Sequence, residues 1–163
     1  NGTDYGFHDI ATDRFCLSPD NVHIALSMGA YNSNDKYYAE VIYTDIEGQN
    51  NINQLTFDNE TRSNLPVGFS NKGNKIYFIS YIELDEFLST SEISVIDIDG
   101  KNRKVLRTVN NIGKAKMSPD RSKILLFIWQ VESSPKLYSL YVLSTDGKEY
   151  FKVAEDVRFP DWG

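Results

Sequence analysis

The 163-residue chain repeats itself, and an internal repeat restricts a fold more than composition does. Three segments align on a serine, a polar turn and an apolar run. They are Ser18-Pro19-Asp20-Asn21-Val22-His23-Ile24-Ala25-Leu26-Ser27, Ser70-Asn71-Lys72-Gly73-Asn74-Lys75-Ile76-Tyr77-Phe78-Ile79-Ser80 and Ser118-Pro119-Asp120-Arg121-Ser122-Lys123-Ile124-Leu125-Leu126-Phe127. A second landmark follows each: Val41-Ile42-Tyr43-Thr44-Asp45-Ile46-Glu47-Gly48, Ile93-Ser94-Val95-Ile96-Asp97-Ile98-Asp99-Gly100 and Leu140-Tyr141-Val142-Leu143-Ser144-Thr145-Asp146-Gly147. The serine and the start of the second turn are 27 residues apart in two units (Ser18 to Asp45, Ser70 to Asp97) and 26 in the third (Ser118 to Ser144). Constant spacing inside a unit, with variable lengths between units, is what stacked supersecondary units with loop insertions produce.

Each unit reads as four strands. The first approaches the serine (Phe15 to Ser18, Val67 to Ser70, Ala115 to Ser118, and Val157 to Trp162 for a fourth unit). The second follows the turn (Val22 to Met28, Lys75 to Ile82, Lys123 to Gln130), and the third enters the next turn (Glu40 to Asp45, Glu92 to Asp97, Leu137 to Ser144). The last is short and polar (Asn53 to Thr56, Lys104 to Thr108, Tyr150 to Val153). Pro-Asp and Asp-Gly pairs suit the hairpins, because Pro presets φ and Gly accepts φ > 0. Ten Tyr and nine Phe fit pleated, half-buried surfaces, and no window holds a 3.6-residue apolar period. An all-β chain is expected.

Ser-Pro-Asp before Lys-Ile or His-Ile, then Asp-Ile-Asp-Gly-Lys-Asn, resembles the WD40-like repeat of TolB-type β-propellers. Gln54-Leu55-Thr56 is similar to the Leu-Thr that closes a blade there, and Pro160-Asp161-Trp162 to the Pro-x-Trp that opens one. The resemblance covers nearly all of residues 14–163. It implies three four-stranded antiparallel blades, at 14–65, 66–113 and 114–156, with the first strand of a fourth at 157–163. Asn71-Lys72-Gly73 and Arg121-Ser122 depart from the pattern and are expected to loosen their turns. The resemblance further implies a rigid platform for protein or peptide partners, with no catalysis and no cofactor of its own, in an extracytoplasmic setting. It also implies an alternative, since related propellers cap the catalytic domain of prolyl-oligopeptidase-like serine hydrolases.

Closed rings have four or more blades, so three leave an open arc with apolar faces at both ends. Two completions follow: the remaining blades of a larger propeller, or a second copy pairing its open faces into a six-bladed ring. The partial fourth unit and a first residue other than Met favour the larger propeller.

A net charge of −6 argues against a nucleic-acid binder, because phosphate contacts need clustered Lys and Arg. Lys101, Arg103, Lys104 and Arg107 read instead as a solvated outer strand. Cys16 is the only cysteine, flanked by Phe15 and Leu17, and reads as a small core residue. His23 sits within a strand, and His8 beside Asp9 has no nucleophile near it in sequence. Ser133-Ser134-Pro135-Lys136 is a turn rather than a Ser-x-x-Lys site, since Pro135 opposes the helical turn that motif needs. Asp97-Ile98-Asp99-Gly100-Lys101-Asn102 starts like a calcium loop but carries Thr108 at its twelfth position, where Glu is required. No catalytic residue and no metal ligand is assigned.

Binding is expected on the face that gathers the longer loops, 29–38, 83–91 and 57–65. Tyr31, Tyr37, Tyr38 and Phe87 stand there beside Asp35, Asp58, Glu60, Glu83, Asp85 and Glu86. An aromatic, acidic rim suits a basic or amphipathic peptide.

Overall fold

The computed structural model describes residues 15–31, 37–47, 52–58, 61–83, 89–130 and 137–157. These hold twelve β-strands and no helix. The first blade comprises β1 (Phe15–Leu17), β2 (His23–Tyr31), β3 (Tyr37–Asp45) and β4 (Asn53–Gln54). The second comprises β5 (Ser63–Phe69), β6 (Lys75–Glu83), β7 (Ser89–Asp97) and β8 (Lys104–Asn110). The third comprises β9 (Ile112–Met117), β10 (Lys123–Trp129), β11 (Tyr138–Ser144) and β12 (Tyr150–Val157). Within each blade successive strands pair antiparallel. One parallel pairing, Ala39 with Ser63, links β3 of the first blade to β5 of the second, while the third is a separate sheet.

The aligned serines build one recurring turn. Ser18 Oγ accepts from His23 N at 2.9 Å, Ser70 Oγ from Lys75 N at 3.2 Å and Ser118 Oγ from Lys123 N at 2.9 Å. The third residue after each serine is left-handed: Asn21 (φ 57°), Gly73 (φ 71°) and Arg121 (φ 59°). Arg121 does more than loosen its turn, because its guanidinium donates to the Phe69 carbonyl at 3.3 Å and ties the third blade to the second. Ser144 repeats the device at the β11–β12 turn, with Glu149 N donating to its Oγ at 2.9 Å and Gly147 at φ 79°.

Several strands outgrow their expected bounds. β2 and β3 extend to Tyr31 and from Tyr37, and β6 and β7 reach Glu83 and start at Ser89. Backbone ladders continue into segments that polar composition marked as loop, so the connections are short. β12 runs on to Val157, which pairs with Tyr138, so Val157 closes the third blade rather than opening a fourth. The expected strand at 158–162 lies outside the described residues.

Side chains alternate across each sheet, so every blade has two apolar faces. Ala25 and Val41 of the first blade pack on Phe69, Ile76, Phe78 and Ile96 of the second. The opposite face of the second, with Tyr77, Ile79, Ile93 and Val95, packs on Ile124, Leu126 and Leu143 of the third. Leu125, Phe127, Tyr138, Leu140 and Val142 form a separate cluster on the third blade's remaining face. Positions seven residues after the serine (Ala25, Tyr77) therefore face the following blade, and positions six and eight after it (Ile76 and Phe78, Ile124 and Leu126) face the preceding one.

Candidate functional site

Strand register fixes which ends share a face. Tyr31 pairs with Tyr37 and Glu83 with Ser89, so the β2–β3 and β6–β7 hairpins end on the same side as the connections between blades. The opposite side carries the serine turns. Tyr31, Tyr37 and Glu83 thus stand at hairpin ends, and Tyr38 is half-buried opposite Ala30. Asp35, Asp85, Glu86 and Phe87 lie outside the described residues, as do Glu60, His8 and the Ser133–Lys136 segment.

Beneath the rim, between the first two blades, lies a polar cluster that the sequence reading missed. Glu40 and Asn64 are buried, and Asn64 is fully shielded from solvent. Glu40 accepts from the Thr56 hydroxyl, from Asp58 N at 2.7 Å and from Asn64 Nδ2 at 3.0 Å. Asn64 Nδ2 also donates to Asp58 at 2.8 Å, and its Oδ1 accepts from Ser80 Oγ at 2.5 Å. Arg103 binds both oxygens of Asp58 at 2.9 Å, donates to Ser80 at 3.1 Å and lies 5.1 Å from the Phe78 ring centroid. An Arg62–Glu92 ion pair flanks the group.

This geometry corrects two readings. Arg103 is no solvated outer-strand cation but the partner of a largely buried carboxylate. Asp58, expected on the rim, is spent inside the joint. The available signal was positional. Glu40 and Glu92 both stand five residues before the second turn, and Ser80 is polar where Met28 and Ile128 occupy the same repeat position.

A hollow of about 460 Å³ opens among the innermost strands. The equivalent residues Phe15, Val67 and Ala115 line it together with Ile79, Tyr81 and Met117. Burial pushes the Tyr81 phenol up to about 12.

Other candidates resolve into structure. Asp97 accepts from Lys75 and from Asn102 Nδ2 at 2.8 Å, and Asp99 accepts from Lys101 N at 3.0 Å. Its carboxylates thus close their own turn. His23 stacks on Tyr43 with ring centroids 5.2 Å apart. Apolar surroundings push the Cys16 thiol up to about 12, well away from the range of reactive thiols. Among the described residues no three His, Cys, Asp or Glu side chains group as a metal site, and no helix is long and apolar enough to cross a membrane.

No protein-family model and no curated protein matches the sequence. Solved structures do. A TolB from Agrobacterium tumefaciens superposes with a TM-score of 0.64 at 17% identity, over 91% of this chain and 48% of that one. The β-propeller domain of the Trilobed protease from Pyrococcus furiosus gives 0.60 at 18%, over 89% and 42%. The acylaminoacyl peptidase of Pyrococcus horikoshii gives 0.59 at 18%, over 81% and 24%. The chain spans about half the length of the TolB structure it matches. Both TolB and peptidase propellers share this architecture, so the architecture by itself assigns no catalysis. With its recurring serine turns and stacked four-stranded sheets, the chain has the fold of TolB-like β-propeller blades.

Proposed function

We propose that this chain is a non-catalytic scaffold that binds a protein or peptide on its hairpin face. One observation carries the reading. The β2–β3 and β6–β7 ladders stay in register out to Tyr31–Tyr37 and Glu83–Ser89, so neighbouring blades hold their hairpin ends on long, fully paired strands. Support that is already ordered reduces the entropy lost when a partner docks. The tyrosines supply contact area and the acidic residues of 83–86 attract cations, so the partner class is a basic, amphipathic peptide segment. Likeness to TolB supports an extracytoplasmic setting for this activity.

The test is a displayed library of random peptides panned against the full 163-residue chain. Enrichment of basic sequences with apolar anchors is expected. Binding should vanish in the Tyr37→Ala, Tyr38→Ala, Phe87→Ala triple variant, which should stay folded with a stability loss of about 2 kcal/mol or less because Tyr38 is half-buried. No enrichment, or enrichment that survives the triple variant, overturns the reading.

Likeness to acylaminoacyl peptidase over 81% of this chain supports a second reading, a propeller that gates substrate for a hydrolase domain. A catalytic Ser-Asp-His set elsewhere in the same polypeptide separates it from the first.

A further inference from the structure

The hollow among the innermost strands lies where the second blade meets the third. β5 lines it with Val67, β6 with Ile79 and Tyr81, and β9 with Ala115 and Met117, all of which belong to the apolar joint between those blades. Phe15, 47% exposed, borders it from the first blade. Its volume of about 460 Å³ falls within the range of small-molecule sites, about 300–1,000 Å³.

Tyr81 is the odd member of this lining. A buried tyrosine ordinarily finds a partner for its hydroxyl. Among the described residues the Tyr81 hydroxyl has none, and burial alone raises its pKa. The unpaired hydroxyls of Ser91 and Ser94 are sealed from solvent, whereas that of Tyr81 opens on the hollow. Packing does not account for it, because Phe would fill the same space without a hydroxyl. The repeat does not demand it either, since the same position holds Gly29 in the first blade and Trp129 in the third.

The surroundings narrow the chemistry of what Tyr81 meets. Among the described residues no carboxylate lines the hollow, so nothing there holds a cation. Lys114 and Lys116 border it, but they alternate along β9 with Ala115 and Met117, which pack on the second blade. They pair with Phe127 and Leu125, so their charges belong to the other face of the third blade. An anion drawn into the hollow would lose its hydration without gaining a charged partner there.

We propose that the hollow binds a small, uncharged, largely apolar molecule whose carbonyl oxygen accepts a hydrogen bond from the Tyr81 hydroxyl. The apolar walls supply the contact area and the phenol fixes the orientation. This site uses none of the hairpin residues assigned to peptide capture, so either reading can fail without the other.

Amide NMR spectra of the full 163-residue chain, titrated with acetophenone and with ethylbenzene, test it. The two probes have nearly the same shape, and only acetophenone offers a carbonyl. Both should give saturable shifts centred on Val67, Tyr81, Ala115 and Met117. Tyr81→Phe should weaken acetophenone roughly fivefold and leave ethylbenzene unchanged, which is the loss of one neutral hydrogen bond. That variant removes only an unpaired hydroxyl, and its own spectrum reports whether the fold is kept. Shifts that never saturate, or that gather on exposed Ile52, Phe57 and Val153 instead, overturn the proposal. So does an equal effect of Tyr81→Phe on both probes, or tighter binding of benzoate than of acetophenone.

Discussion

At the residue scale, turn chemistry is set by carboxylates that serve their own hairpins. Asp120 accepts from the Ser118 hydroxyl at 2.6 Å, the Ser122 hydroxyl at 2.8 Å and Ser122 N at 3.1 Å, which holds its carboxyl down at about 2. Asp146 sits at about 2 for the same reason, with Ser144 Oγ and Lys148 N as donors. Asp20 is also lowered, by the Ser18 hydroxyl first and Val22 N second. A folded value below the unfolded one means that the charged form favours the native turn. This contribution is complete above the ordinary aspartate range of about 4 and is lost as pH falls toward about 2. Carboxyl chemical shifts followed by NMR from pH 6 downward should show Asp120 and Asp146 titrating last. An ordinary midpoint for either would remove the hydrogen-bonded turn from the account.

At the scale of elements, small residues decide how closely blades approach. A Cβ on Gly68 of β5 would lie 2.8 Å from Met117 Cβ and 3.0 Å from its Cγ. Those atoms sit at the root of a side chain on β9 and cannot swing aside, so the blades would have to separate. Gly68→Ala should cost about 2 kcal/mol. A Cβ on Gly113 meets the Tyr138 Cε1 at 2.9 Å, the far end of a ring that can turn. Gly113→Ala should therefore cost less, and urea denaturation of the two variants side by side checks the order. The positive φ at Arg121 belongs to this scale too, because the strained residue is the one whose side chain reaches across to Phe69.

At the scale of the whole molecule, two kinds of joint hold the arc. Apolar faces dominate between the second and third blades, whereas the first joint adds the cluster around Glu40, Asp58, Asn64, Ser80 and Arg103. Buried polar groups are costly when left unpaired, so such a cluster favours one relative placement of two sheets over others. Asn64→Ala strips a donor from Glu40 and Asp58 and an acceptor from Ser80 together. It should cost about 3 kcal/mol and lower Tm by roughly 10 °C in calorimetry. A drop of a degree or two would mean that the joint rests on its apolar contacts alone.

Much of this architecture was legible in the sequence, because it depends on local spacing. Serine turns, alternating apolar runs and the interval of 27, 27 and 26 residues act over a few residues or within one unit, and each recurs in all three units. Repetition let weak signals confirm one another at Ser18, Ser70 and Ser118. Strand ends were less legible, since pairing at Tyr31–Tyr37 depends on a ladder begun several residues earlier rather than on the polar composition of the hairpin. The rim was read only as a set of residue types, and Asp58 shows the limit of that method: an acidic residue in a loop segment became the buried mate of Arg103, 45 positions away. The sequence by itself determined the unit, its four strands and the turns that join them. Tertiary structure decided which polar residues turn inward, because that depends on what lies on the far side of a joint and not on the strand that carries them.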